Sequence, residues 1–484
     1  MLACALLATL AADAAASAKP PFSHQGRWIT DARGRVMILH GLNMVNKLPP
    51  YRPDALGFGT DDARFLARHG FNTMRVGIIY KGLEATEGSY DDAYLSRILA
   101  TTRVLSKRGI WPLVDFHQDM YNEVYNGEGF PDWAVQDDGL PRQPDQGFPA
   151  NYIVMPALSR AYDHFWANDP APSGRGLQDA YAAAWRHVAE RFRGERRRGL
   201  VGYDIFNEPW PGSGWQSCAN TEGCPVFDTE KLTPFSLRVF QQIRQADPRS
   251  LTWYEPNLFI NFGSKTHHGD TGDARAGMSF HLYCVGETPG VSSGGSQTGG
   301  CSRSDKLTLD NAEAQSQKTG DALILSEFGA TDAIGTIERV IKAAETAMVS
   351  WQYWSYWNED VCCKRPVEGV INDIRKPPVG DNVKAEKLKV LARAYPQAVA
   401  GTPTRYGFDP ESAIFELEYS TARAGGGKFG RRALTEVFAP RLHYPGGYTA
   451  SVKGAQVVSR ANARRLLLRN RPGAKQVTLR VRPR

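Results

Sequence analysis

Long apolar runs are missing: nothing in the 484 residues approaches the ~20 consecutive apolar positions that cross a bilayer, so no segment reads as a membrane-spanning helix. Cys-x-x-Cys and His-x-x-x-His spacings are missing too, which argues against a zinc site. Neither sign of charge dominates, since 58 Lys and Arg face 51 Asp and Glu for a net of +7. The composition is nevertheless far from that of a disordered chain, with 42% hydrophobic residues, 11 Trp and 19 Tyr. A large core with spare aromatic surface is the consequence.

The opening MLACALLATLAADAAASAKP lacks the basic n-region of a signal peptide. It does carry a short apolar run and small residues ending in Ala16-Ser17-Ala18, the pattern of an A-x-A cleavage site. Residues 1–18 are therefore expected to be a signal peptide and the product secreted. Cysteine is scarce, but six remain beyond that segment: Cys218, Cys224, Cys284, Cys301, Cys362 and Cys363. An even count suits disulfides formed after export. The adjacent Cys362 and Cys363 are expected to pair with different partners rather than with each other.

From about residue 35 to 360, strand-like apolar runs alternate with charged, helix-patterned segments, as in a parallel sheet with crossover helices. Eight runs recur, near residues 39, 75, 113, 204, 253, 280, 325 and 354. Eight such units close naturally as an α/β fold of the (β/α)8 TIM-barrel type, placed at residues 22–400. Helices are expected over 61–69, 91–107 and 177–193. The segment 118–176, rich in Trp, Phe, Tyr, Pro and Gly, reads as an elaborated loop over one face. Beyond 400 the character changes to period-two runs such as AIFELEY and KQVTLRV between glycine-rich turns, the pattern of a small antiparallel β-sandwich at 401–484. That module holds 16 Lys and Arg against 5 Asp and Glu, a net of +11, leaving the rest of the chain at −4. Such a module suits contact with anionic membrane surfaces, although a merely solvated face explains the charge equally well.

Two of the apolar runs end in glutamate. In YDIFNEPWPG the prolines forbid continuation of the strand, which leaves Glu208 at its carboxyl end. In LILSEFG, Glu327 closes the seventh run just before Gly329. The carboxyl ends of barrel strands are where such enzymes do chemistry. Two carboxylates facing a sugar can cleave a glycosidic bond, one protonating the leaving oxygen and the other attacking the anomeric carbon or activating water. The plainer alternative is that both are helix N-terminal glutamates stabilised by the helix dipole. Their joint placement on the fourth and seventh strands favours the chemical reading.

Asn-Glu on strand four with Glu on strand seven resembles the clan A retaining glycosidases and, within them, glycoside hydrolase family 5. DFHQDMY (115–121), NEPWPG, HLY, SEFG and YPQAVAGTP (395–403) together resemble the endoglycoceramidases, which release the intact glycan from glycosphingolipids. The resemblance implies Glu208 as general acid/base and Glu327 as nucleophile. It implies that Asn207 holds the sugar 2-hydroxyl, that Arg75 keeps Glu327 ionised, that Tyr283 hydrogen-bonds the nucleophile and that His281 lies beside the acid/base. His117, Asp119 and the loop residue Lys47 would grip sugar hydroxyls. An aromatic platform under the catalytic sugar is expected on strand eight. Trp357 matches the family register best, yet Trp354 fits a general barrel pattern too; regular strand alternation puts them on opposite sides, so both cannot be platforms. Two segments depart from the familiar pattern, the Gly/Ser-rich stretch between Cys284 and Cys301 and VCCKRP after strand eight.

The resulting expectation is a secreted, monomeric endo-β-glycosidase acting on glycosphingolipids, with no metal, no organic cofactor and no nucleic-acid partner. A β-glucanase or a monoglycosylceramide β-glucosidase of the same family is the nearest alternative. A non-catalytic carbohydrate- or membrane-binding protein is the alternative of another class, and a fluorogenic aryl-glycoside assay separates it. Aromatic residues of the rim loops, Phe130, Trp133, Phe148, Tyr152, Trp210, Trp215 and Phe259 with Ile153, are expected either to line a path for the lipid or to pack those loops together.

Overall fold

The computed structural model describes residues 18–284, 298–357 and 367–484. All but the last residue of the proposed signal segment, most of the Gly/Ser-rich stretch, and Cys362 and Cys363 lie outside the described residues.

Eight parallel strands close a barrel in chain order: His40–Met44, Thr73–Ile79, Trp111–His117, Gly202–Asp204, Thr252–Tyr254, Ala276–Leu282, Ala322–Phe328 and Ser350–Tyr353. They coincide with the eight apolar runs, and every residue of the second, sixth and seventh is buried, as strands covered on both faces require. Helices Thr60–His69, Asp92–Ser106 and Leu177–Phe192 take the expected places. Asp91 begins the second of these by accepting a hydrogen bond from the Tyr94 amide at 2.9 Å. The long segment after strand three is only partly loop, since Pro156–Ala167 forms a helix whose Tyr162, Phe165 and Trp166 are buried.

The sandwich is not confined to 401–484. One of its sheets is four-stranded, in the order Thr402–Asp409, Ile414–Ser420, Gln476–Pro483, Tyr448–Lys453. The other has seven strands and begins with Ser23–Gln25, Trp28–Thr30 and Val36–Met37, which precede the barrel in sequence. Tyr395–Val399 then pairs antiparallel with Val36–Met37 on one side and with Thr435–Phe438 on the other. A boundary at 400 therefore cuts through a continuous sheet. The composition change at 401 is real, but it marks only where the polar outer faces of the sandwich begin. Val36, Ile38, Tyr395 and Val399 share one apolar core with Tyr406, Phe415, Leu417, Val437 and Leu479. On its other side the N-terminal segment stops the bottom of the barrel, where Phe22, Ile29 and Met37 pack with Leu113, Leu251, Trp253 and Ile324. Buried Arg35 ties the ends of the chain together by holding Asp31 at 2.8 Å and donating to the Leu434 carbonyl at 2.9 Å.

Candidate active site

Both glutamates reach the carboxyl rim. Glu327 is in the last turn of strand seven, and Gly329 lets the chain leave immediately afterwards: its φ is +104°, and a Cβ there would lie 2.2 Å from the Tyr353 ring. Glu208 follows strand four in the left-handed region at φ +48°, an unusual place for a non-glycine residue and more so for one preceding proline. Its amide donates to Glu255 Oε2 at 2.9 Å, which holds that conformation. Backbone kept in a sparsely populated region by a buried carboxylate is a pointer to function.

One oxygen of each glutamate and a ring nitrogen of His281 lie within 4.8 Å of one another. His281 Nδ1 is 2.8 Å from Glu208 Oε1, and its Nε2 is 3.2 Å from Glu255 and 3.8 Å from Glu327. Burial opposes charge on this ring, but Glu255, Glu327 and the bond to Glu208 outweigh it and hold the imidazole well above its ordinary pKa. His281 is thus an imidazolium that donates to Glu208. Asn261 Nδ2 donates to the same Oε1 at 2.6 Å. With Oε1 taken by two donors, Oε2 is the oxygen of Glu208 able to carry a proton to substrate.

Tyr283 donates to Glu327 Oε1 at 2.7 Å, and Arg75 Nη1 lies 3.4 Å from its Oε2. Burial lifts the Glu327 pKa above the usual carboxylate value, His281 and Arg75 oppose this, and neighbouring Glu208 adds to it. Arg75, fully buried, also contacts Asp115 at 2.9 Å, Asp204 at 2.9 Å and Glu255 at 2.7 Å. One guanidinium among four carboxylates leaves an excess of negative charge, and Asp204, buried beside Glu255 and Asp115, is pushed up to about 8 despite Arg75. Asn207 accepts from Arg75 at 3.0 Å and donates one amide hydrogen to the Gln118 carbonyl, also at 3.0 Å. Its second amide hydrogen remains for a ligand. Gln118 in turn donates to the Asn207 carbonyl at 2.8 Å, clamping the segment that carries Glu208.

The remaining expected residues form a second group beside the pair. Lys47, far from being exposed, is buried and hydrogen-bonds Asp119, with Glu128 at 3.5 Å. His117 is bound to Asp115 at 2.9 Å; burial opposes its charge, but Asp115 and Asp119 raise it to about 9. Its Nε2 is buried without a hydrogen-bond partner, 3.5 Å from Asp119. The tryptophan that joins this group is Trp354. Its ring stacks on His117 at 5.1 Å with 13° between planes, Lys47 Nζ sits 4.7 Å above it, and its Nε1 donates to Glu368 at 2.9 Å. Trp357 is buried nearby, and the described ring contacts with His117 and Lys47 belong to Trp354. Strand eight ends at Tyr353, so the alternation that separated the two tryptophans does not extend to residue 354.

Among the described residues, two sets of side chains have the make-up and spacing of metal ligands, Glu208 with His281 and Glu327, and His117 with Asp119 and Glu128. Each already contains a cation, protonated His281 in the first and Lys47 with protonated His117 in the second. Like charge disfavours a further one.

The rim aromatics divide. Phe130 stacks on Tyr121 at 4.0 Å within the core, and Trp133 is tied to the Glu84 carbonyl at 2.9 Å. Ile153 is exposed. Tyr152, Trp210, Trp215 and Phe259 instead form a continuous run, with Trp210 5.0 Å from Tyr152, 5.9 Å from Trp215 and 5.5 Å from Phe259, starting two residues after Glu208. Cys218–Cys224 and Cys284–Cys301 are disulfides in the loops after strands four and six, on the same rim.

Glu255, Asp115, Asp204 and Asn261 are parts of the site that sequence reasoning passed over, as is Asn43, which accepts from Arg75 at 3.5 Å and donates to the Ser326 carbonyl at 2.9 Å. Glu255 had a signal: TWYEP ends a barrel strand in Glu-Pro, just as IFNEP does.

Residues 31–360 match the family described as Cellulase (glycosyl hydrolase family 5), and residues 393–481 match the Glycoside hydrolase family 5 C-terminal domain. The chain is 32% identical to Endoglycoceramidase I of Rhodococcus hoagii over 91% of its own length and 84% of that protein's. Endo-glycoceramidase II from Rhodococcus sp., solved as a ganglioside GM3 complex, superposes with a TM-score of 0.78 at 28% identity, covering 94% of this chain and 99% of that one. The same enzyme has been solved as a lactosyl-enzyme intermediate, which superposes with a TM-score of 0.76. Fold, paired rim carboxylates and relatives agree, and the chain belongs to glycoside hydrolase family 5.

Proposed function

We propose that this protein is a retaining endo-β-glycosidase that hydrolyses the linkage between glycan and ceramide in glycosphingolipids. The observation that carries the reading is the placement of Glu208 and Glu327 oxygens within 4.8 Å of each other. Retaining enzymes hold their carboxyl groups about 5–5.5 Å apart, whereas inverting enzymes need about 6.5–9.5 Å to admit a water.

In the first step Glu208 gives the proton on Oε2 to the glycosidic oxygen while a Glu327 oxygen attacks the anomeric carbon from the opposite face. The bond to the glycosidic oxygen breaks, ceramide leaves as an alcohol, and the glycan is held as an ester of Glu327 with inverted configuration. Glu208, now a carboxylate, then takes a proton from water, whose oxygen attacks the same carbon and displaces Glu327. Two inversions restore the β configuration. Glu327 must be anionic to attack, and Arg75 with protonated His281 favours that state. The free amide hydrogen of Asn207 suits the 2-hydroxyl, where hydrogen bonds strengthen in the transition state. The unpartnered His117 Nε2 suits a further hydroxyl of the same sugar, above the face of Trp354. The run from Tyr152 to Phe259 provides the apolar side on which ceramide departs. The two disulfides support action outside the cytoplasm.

Incubation with lactosylceramide and with a ganglioside, followed by mass analysis, tests this reading. Intact oligosaccharide and free ceramide in equal amounts are expected. Stepwise loss of single sugars, or cleavage of soluble β-glucan with no action on any glycolipid, would return the assignment to another activity of the family.

A further inference from the structure

A groove of about 1510 Å³ lies between the underside of the barrel and the sandwich. It is lined by the C-terminal ends of helices Thr60–His69 and Asp92–Ser106, the start of strand Trp111–His117, and the stretches 440–442 and 458–465. Seven Arg and Lys side chains face it and a single carboxylate, Glu436, which is already bound to Arg465 at 2.5 Å. Arg68, Lys107, Arg108, Arg441, Arg460 and Arg464 are exposed there, and no ion pair engages them among the described residues. They come from four separate segments of the chain. Collecting like charges in a concavity raises their mutual repulsion, which an anion would relieve.

We propose that this groove binds a linear acidic polysaccharide, whose repeated carboxylate or sulfate groups pair with the six cations. Single small molecules occupy about 300–1000 Å³, and this groove is larger. Arginine predominates, and its planar fork suits bidentate pairing with such oxyanions. A single-stranded nucleic acid is disfavoured: Phe71 and Phe438 are buried, and half-buried Trp111 packs edge-on against Phe22 at 5.4 Å, so no open ring is presented for base stacking. Nor does the groove suit a bilayer. It lies at the amino ends of barrel strands whose carboxyl ends carry Glu208 and Glu327, so a membrane held there would face away from the catalytic rim. A polymer bound at the underside leaves that rim open. The inference is independent of the reaction assigned to the rim.

The full chain, applied to immobilised heparin and eluted with salt, tests the proposal. Arg68→Glu/Arg108→Glu/Arg464→Glu is expected to weaken binding about 100-fold, on the order expected for losing several charge-assisted contacts. The corresponding triple change to Gln should cause a smaller loss. Lys428→Glu/Lys453→Glu/Arg482→Glu, an equal charge change on exposed positions outside the groove, should have little effect. Hydrolysis of a soluble aryl glycoside should be unchanged in all three, which shows that they are folded. Failure of the parent protein to bind heparin, or equal losses in the two Glu triples, would overturn the proposal. So would binding to phosphatidylserine vesicles through the groove residues with no competition from heparin.

Discussion

Azide, a small nucleophile, distinguishes the two glutamates because each leaves a different gap when removed. With Glu208→Ala and an activated aryl glycoside, azide should intercept the glycosyl ester and give a β-glycosyl azide. With Glu327→Ala it should attack directly and give the α product; the reverse pattern, read by NMR, would exchange the roles. Glu255 touches neither reacting atom, yet it positions the Glu208 backbone and raises His281. Neutralising it removes a negative charge that holds His281 protonated, so the imidazolium that donates to Glu208 loses its proton more readily. Glu255→Gln should therefore move the alkaline limb of the kcat/KM profile to lower pH, and Glu255→Asp should restore part of it. A purely structural role would lower activity without moving the limb. The stacking on His117 makes a parallel prediction for strand eight: Trp354→Ala should lower kcat/KM about 100-fold on any substrate sharing the sugar, and Trp357→Ala much less. The strand-end positions of Glu208 and Glu327 were legible because strand ends are marked by proline and glycine, and the family motifs pointed to His281 and Tyr283 beside them, but not to Asn261. Glu255 and Asp204 were not legible, since an acidic residue in an apolar strand betrays its partner only when Arg75 is brought across the barrel.

The eight barrel strands were legible in place, and the three helices bounded from the sequence nearly to the residue, because burial on both faces imposes long apolar runs and surface helices keep a 3.6-residue period. Loops carry no such period. The segment after strand three was therefore expected to be one long loop, although it contains the buried helix Pro156–Ala167. The aromatic side chains of these loops looked alike in sequence; Phe130, Tyr152 and Trp210 prove equally buried, and only ring contacts separate Phe130, stacked on Tyr121, from the run in which Trp210 leads to the partly buried Trp215 and Phe259. Substituting Trp210 or Trp215 by Ala should reduce cleavage of a glycolipid at least 10-fold more than cleavage of a soluble aryl glycoside with the same sugar. Binding energy from the remote lipid is available only to the substrate that has one. Equal losses on the two substrates, in folded protein, would remove this run from the path of ceramide.

The two modules of this chain share a sheet, so neither is expected to stand alone. Removing residues 401–484 strips Tyr395–Val399 of its Thr435–Phe438 partner and exposes Val36, Ile38 and Val399. It also takes away the Phe408 amide and carbonyl that meet the buried Glu345 and Arg393 pair. The truncated protein should be insoluble or molten, by near-UV circular dichroism and proteolysis; a soluble, active 18–400 fragment would contradict the shared-sheet architecture. Pairing across hundreds of residues was the least legible property of the sequence, because strands of two or three residues carry almost no register signal. It also sets a timetable for biosynthesis. Val36 emerges from the ribosome about 360 residues ahead of Val399, its partner in the sheet. At about 5–20 residues per second that is a wait of roughly 20–70 s, during which the N-terminal strands have an unfilled edge. Delayed partners of this kind leave a growing chain open to chaperones, and strands near the end of the chain, Ala455–Val457 and Arg465–Asn470, finish a sheet that the first strands began.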